Sequence, residues 1–253
     1  MTLSEERIRK LSAAQHEPEW MLHHRLQAWQ DYQQYELPRF KYGKGVILDI
    51  SALDVEKIDP HPDQEVILAQ PEAIKVLPFS EAPPQYADII REHLNSAAKT
   101  KNKFGALHEA GFTKGQILLI PRGVSIVNPL MLESTLNTST QIEHLIIIAE
   151  QGSVATLIEI LNAQQDTQQF RSQVVSFYIE EGAQVKYRFI QRAGPKLFNI
   201  IRRNAVVEQE GSLTIMDCTH GGALTQVMTS THLRGEGAES KAYSLVFADQ
   251  QQQ

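Results

Sequence analysis

Cys218 is the single cysteine of the chain, so it is the one side chain able to carry sulfur. A thiolate can accept a persulfide or ligate iron, and its pKa decides how readily. It stands in Asp217-Cys218-Thr219-His220-Gly221-Gly222. On an extended strand residues i and i+2 share a face. His220 would then lie beside the thiol and could help deprotonate it, while Asp217 would point to the other face. A plainer reading stands next to this one: free cysteines are among the most buried residues and pack as small hydrophobes. His220 equally suits an outer face or a turn. A lone cysteine also excludes an internal disulfide and a cysteine-rich metal cage.

Other chemistry-bearing residues are weaker candidates. His23 and His24 are neighbours, and neighbours on a helix point about 100° apart, so the pair suits a solvated or rim role better than shared chelation of one ion. His232, before Leu233-Arg234-Gly235, reads as a solvated strand end. Lys99, Lys101 and Lys103 follow a helical stretch and suit its negative end better than a phosphate. Neither Gly221-Gly222 nor Gly235-Glu236-Gly237 leads into a helix carrying Lys-Ser/Thr, so neither reads as a phosphate loop. Hydrolase signatures of the Gly-x-Ser-x-Gly and His-Glu-x-x-His kinds do not occur. With one thiol and histidines scattered along the sequence, the isolated chain is expected to hold no cofactor and to bind iron weakly, if at all.

These residues must be positioned by a chain of 253 residues, long enough for a substantial core. Its 24 Lys and Arg against 30 Asp and Glu leave a net charge of −6, which argues against a nucleic-acid partner. The longest apolar run, Leu145 to Ala149, falls far short of the roughly 18 residues of a membrane span. The acidic start, Met1-Thr2-Leu3-Ser4-Glu5-Glu6, predicts no secretory signal, and the expected compartment is the cytoplasm.

Two regions differ in character. Residues 1–103 form a helical and Pro-rich region, with helix expected over about 1–36. There Glu17-Pro18-Glu19-Trp20 suits a first helical turn, and Leu22, Leu26 and Trp29 make an apolar stripe. Prolines crowd residues 37–83, which predicts a strap with short edge strands. Residues 84–98 carry Tyr86, Ile89, Ile90 and Leu94 at helical spacing. From 104 to 253 the pattern turns to β, in runs such as Val174 to Ile179 and Val185 to Ile190.

Glycine turns punctuate the β region at a near-constant period. Glu150-Gln151-Gly152-Ser153 is echoed by Glu180-Glu181-Gly182-Ala183, by Gln209-Glu210-Gly211-Ser212 and by Gly235-Glu236-Gly237-Ala238. Gly152, Gly182, Gly211 and Gly237 are spaced by 30, 29 and 26 residues, and Gly152, Gly182 and Gly211 are expected at equivalent corners. A repeated turn followed by short strands predicts a solenoid, each unit one coil of a parallel β-helix. An antiparallel meander with recurrent glycine turns is the competing reading, and the period favours the solenoid.

Several motifs, in order, resemble the SufB/SufD family of iron–sulfur cluster assembly scaffold proteins. Glu17-Pro18-Glu19-Trp20-Met21-Leu22-x-x-Arg25-Leu26-x-Ala28 is similar to the family's N-terminal signature. Ala106-Leu107-His108, followed by Gly115 through Ile120-Pro121-Arg122-Gly123-Val124, resembles the entry to its core. Ile147-Ile148-Ala149-Glu150-x-Gly152-Ser153, Glu181-Gly182-Ala183-x-Val185-x-Tyr187, Asn204 to Glu208 and Leu233 to Ala238 resemble successive coils.

The resemblance implies a mainly β protein: a right-handed parallel β-helix core with N-terminal helical segments. It implies a non-catalytic scaffold in a SufBCD-like complex, with a SufC-like ABC ATPase and a SufB/SufD-like partner or a second copy of the chain. A transient iron–sulfur cluster would form in the complex, and Cys218 and His220 are the positions here that could touch sulfur or iron. The family's ATPase-docking helices and main assembly residues lie beyond Gln250-Gln251-Gln252-Gln253. The chain is therefore expected to be a shortened form whose last coil is covered by another copy. The rival from another class is a β-helix enzyme acting on carbohydrate or acyl groups, which needs a carboxylate or histidine cluster in a groove.

Overall fold

The computed structural model describes residues 3–38, 41–42, 46–47, 50–60, 66–68, 73–98 and 102–248. Helices α1 (Glu5–Ala14) and α2 (Glu19–Gln34) open the chain. Four short strands follow: β1 (Lys41–Tyr42), β2 (Val46–Ile47), β3 (Val66–Leu68) and β4 (Lys75–Pro78). Helices α3 (Ala87–Ala98) and α4 (Lys103–Gly111) come next. Ten strands complete the described chain: β5 (Lys114–Ile120), β6 (Leu130–Thr135), β7 (Thr140–Ala149), β8 (Val154–Ala163), β9 (Gln169–Ile179), β10 (Gln184–Ala193), β11 (Leu197–Val207), β12 (Ser212–His220), β13 (Leu224–Leu233) and β14 (Glu239–Phe247).

These ten strands make five coils of a parallel β-solenoid with two strands per coil. Odd-numbered strands from β5 to β13 stack in parallel into one sheet, and even-numbered strands from β6 to β14 into the other. The strap contributes β4 and β3, which pair antiparallel with β5 and β6. Alternation along each strand sorts side chains between two cores. One lies between the sheets, with Leu157, Val175, Phe177, Val185, Phe189, Ile201, Leu213 and Ile215. The other lies between the odd-strand sheet and the helices, with Ile8, Met21, Leu94, Leu107, Phe112, Ile146, Ile148 and Phe170.

The corners explain the repeated turn. Gly123, Gly152 and Gly182 adopt φ of 66–68°, a left-handed conformation that costs glycine little. Gly123, Gly152 and Gly182 each donate their N–H at 3.0 Å to the next coil, to the carbonyls of Gln151, Glu181 and Gln209. The acidic residue two places earlier links the same corners, because Glu150 accepts from Arg122 N at 2.8 Å and Glu180 from Gln151 N at 2.9 Å.

The expectation for Gly211 is corrected by one residue. The equivalent corner position in that coil is Glu210, at φ 53°, whose N–H donates to Glu236 at 2.9 Å. Gly211 instead matches Ser153 and Ala183: its N–H, like theirs, bonds back within the turn, to Glu208.

Two boundaries also differ from expectation. Helix does not run unbroken over 1–36: His16, at φ 52°, and Pro18 separate α1 from α2. Glu17 stands before α2 and pairs with Arg25 at 2.6 and 2.7 Å, rather than meeting the helix dipole. The β pattern begins at Lys114, since residues 103–111 form α4, capped by the Asn102 side chain, which accepts from Gly105 N at 2.9 Å.

Candidate functional site

The seam between helices and odd-strand sheet holds the densest cluster of ligating side chains. Helix α4 is buried along its length and presents the neighbours His108 and Glu109 in two directions. His108 faces β9, where its Nδ1 lies 2.9 Å from Ser172 Oγ. Glu109 faces α2 and β11: its Oε2 is 3.1 Å from His24 Nε2, and its Oε1 is 3.6 Å from Arg202 Nη2. From β7, His144 completes the group, with Nε2 3.4 Å from Ser176 Oγ and its ring centroid 5.6 Å from that of His108. His108, Glu109 and His144 each offer a ligand atom within 4.8 Å of the other two.

Local sequence builds this pocket. Gly115 pairs with His144 across β5 and β7, and its missing side chain admits Phe79 and Phe112, whose rings lie 5.7 and 6.0 Å from His144. The Arg25 guanidinium covers the far face of Phe112 at 3.6 Å from its centroid. Arg25 and Glu17 of the N-terminal motif thus lock α2 over α4.

Burial sets the protonation states. It pushes His108 well below the ordinary histidine value, with Arg202 adding to the effect, and lowers His144 to about 3. Both imidazoles are neutral and keep a lone pair at neutral pH. Burial raises the Glu109 carboxyl, but the His24 hydrogen bond and the charge of Arg202 outweigh it, so its pKa falls below the usual carboxylate value. Around α4 and β7 the group therefore holds one carboxylate, one guanidinium and the two neutral imidazoles of His108 and His144.

A second polar group lies between the sheets. Arg171, fully buried, bonds Glu143 and Glu159, the latter at 2.7 Å. Gln173 donates to the same two carboxylates at 3.1 and 2.7 Å, and the Tyr187 hydroxyl donates to Glu159. Burial opposes the charge of Arg171, but the two carboxylates prevail and raise its pKa. A cavity of about 40 Å³ beside Glu143, Glu159 and Gln173 has room for a few waters. Further along, Arg203 Nη1 holds Asp217 at 2.6 Å.

The sequence candidates fall elsewhere. Cys218 is half-buried on the outer face of β12, between Ile190 of β10 and Leu245 of β14. His220 is exposed on that same face, and Asp217 points inward to Arg203. Among the described residues no hydrogen bond or ion pair joins Cys218 to His220. His23 and His232 are exposed, whereas His24 reaches Glu109. Lys103 Nζ caps carbonyls at the end of α2, Tyr32 and Tyr35 at 3.2 and 3.0 Å, while Lys99 and Lys101 lie outside the described residues.

The expectation of scattered histidines is corrected: the fold gathers His24, His108 and His144. Sequence reasoning missed this because His108 and His144 are 36 residues apart, on elements of different type. The available signal was a His-Glu or Glu-His pair interrupting each of two mainly apolar stretches, Phe104 to Phe112 and Ile142 to Ile148.

Residues 131–253 match the family model described as SUF system FeS cluster assembly, SufBD core domain. Iron–sulfur cluster assembly SufBD family proteins of Staphylococcus saprophyticus and Staphylococcus haemolyticus are each 25% identical to this chain, over 97% of it and 63% of their own length. A Staphylococcus epidermidis protein of the same description is 25% identical over 99% of the chain and 63% of its own length. The chain thus spans 63% of the length of these relatives. Residues 131–253 thus resemble a SufBD core domain, and over nearly its whole length the chain is similar to iron–sulfur cluster assembly SufBD family proteins.

Proposed function

We propose that this chain is a non-catalytic scaffold component of SUF-type iron–sulfur cluster assembly in the cytoplasm. It works with a SufC-like ABC ATPase and pairs with a SufB/SufD-like partner or a second copy of itself. The observation that carries this reading is the match of the SufBD core model to residues 131–253, whose described part, 131–248, lies in the parallel solenoid. A solenoid suits a scaffold because its sheets present long, regular faces whose spacing is fixed by backbone hydrogen bonds. The even-strand sheet is open to solvent along Val154 and Met216. The iron–sulfur cluster is cargo in this reading. Cys218, with His220 on the same open face, is where this chain would touch sulfur or iron.

The rival enzyme reading finds less support. A glycosidase needs two carboxylates flanking a substrate in a groove. Here Glu143 and Glu159 share one arginine inside the solenoid.

Co-expression of the tagged chain with the SufB/SufD-like and SufC-like proteins of its own genome tests the proposal. The scaffold partner should co-elute through size exclusion in fixed ratio, with the ATPase retained through it. A tagged chain that elutes alone, with and without ATP, contradicts it.

A further inference from the structure

We propose that His108, Glu109 and His144 form a binding site for one divalent transition-metal ion at the seam between α4 and β7. Three features of the cluster point to a ligand. First, His108 Nε2 and His144 Nδ1 are buried without a hydrogen-bond partner among the described residues, although both residues are 1% exposed or less. A buried imidazole nitrogen left without a partner is costly, and proteins rarely keep two of them side by side.

Second, the opposite nitrogen of each ring is held by a serine, Ser172 for His108 and Ser176 for His144, both on β9. Metal-ligating histidines are fixed in this manner: an outer partner takes one nitrogen and selects the tautomer that aims the other lone pair at the ion. Third, one ligating atom of each of the three residues lies within 4.8 Å of those of the other two. Ligands about 2.1 Å from a tetrahedral ion are about 3.4 Å apart, so closure needs less than about 1 Å of movement by each side chain.

The donor set defines the ion. Two imidazoles and a carboxylate suit Zn²⁺ or Fe²⁺, whereas Mg²⁺ and Ca²⁺ take oxygen ligands. Arg202 opposes an incoming cation. Its guanidinium is 3.6 Å from Glu109 Oε1, and the ion would have to draw that carboxylate oxygen from it. His24, partly exposed at the rim and bonded to the other carboxylate oxygen, marks the route of entry.

The test uses the whole 253-residue chain, stripped with EDTA and titrated with Zn²⁺ and Co²⁺. We expect one equivalent to bind, with visible Co²⁺ bands of nitrogen–oxygen coordination and a raised melting temperature with Zn²⁺. His108→Gln and His144→Gln should each weaken binding at least tenfold with the circular dichroism spectrum unchanged. His232→Gln, at an exposed strand end, should bind as the parent does, which separates the site from surface histidines. X-ray absorption on the Zn²⁺-loaded parent tests the site even if the variants fail to fold: it should show two imidazoles in a shell of light atoms. No stoichiometric binding, unchanged binding in both folded histidine variants, or a shell without imidazole would overturn the proposal.

Discussion

Glu210 occupies in its coil the corner position that Gly182 holds one coil earlier, with φ of 53° against 66° and the same N–H bond to the following coil. A side chain in this left-handed region costs about 1 kcal/mol that glycine avoids. Glu210→Gly should therefore raise the melting temperature by about 2–4 °C, and Gly182→Ala should lower it by a similar amount. Space does not decide the second case, since a Cβ at Gly182 meets nothing within 4 Å. Calorimetry of the two variants checks this, and opposite signs would show that the corner is not governed by backbone conformation.

Gly115 is constrained by packing instead. A Cβ there would lie 2.6 Å from Phe79 Cδ2 and 2.9 Å from Phe112 Cε2, so Gly115→Ala should destabilise by about 1–3 kcal/mol. Adding Phe79→Leu should recover part of the loss. Denaturant titration of the single and double variants measures the coupling, and strictly additive effects would refute the contact.

The seam histidines make stability depend on pH. Their folded pKa values are depressed, that of His144 to about 3, whereas the unfolded value is near 6.5. Below pH 6.5 the unfolded chain binds more protons than the folded one, so stability is full above that pH and falls as the solution is acidified. At pH 5 His144 accounts for a loss of about 2 kcal/mol relative to neutral pH, and His108 acts in the same direction. Urea unfolding at pH 7.5 and 5.0 should show it, and His144→Gln should lessen the difference by about 2 kcal/mol. Equal sensitivity in parent and variant would contradict the assignment.

Inside the solenoid, Arg203 and Asp217 form a buried pair at 2.6 Å. Asp217→Ala leaves the guanidinium without this partner and should cost about 3–5 kcal/mol. Asp217→Asn keeps an acceptor beside Arg203 and should cost less. The order of the two unfolding midpoints checks the pair.

Much of this was legible in the sequence because it is local or periodic. The acidic-Gly turn, recurring at a near-constant spacing, marks a corner whose left-handed conformation favours glycine, and it announced the coils. Its one misplacement, Gly211, arose because Glu210 adopts the glycine conformation and shifts the apparent match by a residue. The facing of Cys218 and His220 followed from strand alternation, as did the inward turn of Asp217. The seam cluster was not legible: His108 and His144 meet only after α4 folds across β7, and no local period encodes that crossing. The charged groups around Arg171 were hidden for the same reason, since each lies at an inward position of its strand where apolar residues are the rule.

If the chain serves iron–sulfur cluster assembly by holding partners in register, as proposed, its loss starves iron–sulfur enzymes of clusters. The activity of an iron–sulfur dehydratase is compared in cells with and without the gene encoding this chain, grown under iron limitation, with the level of dehydratase protein measured alongside. Specific activity should fall severalfold while the protein level holds, and restoring the gene should restore it. Unchanged specific activity in the deleted strain would contradict the account.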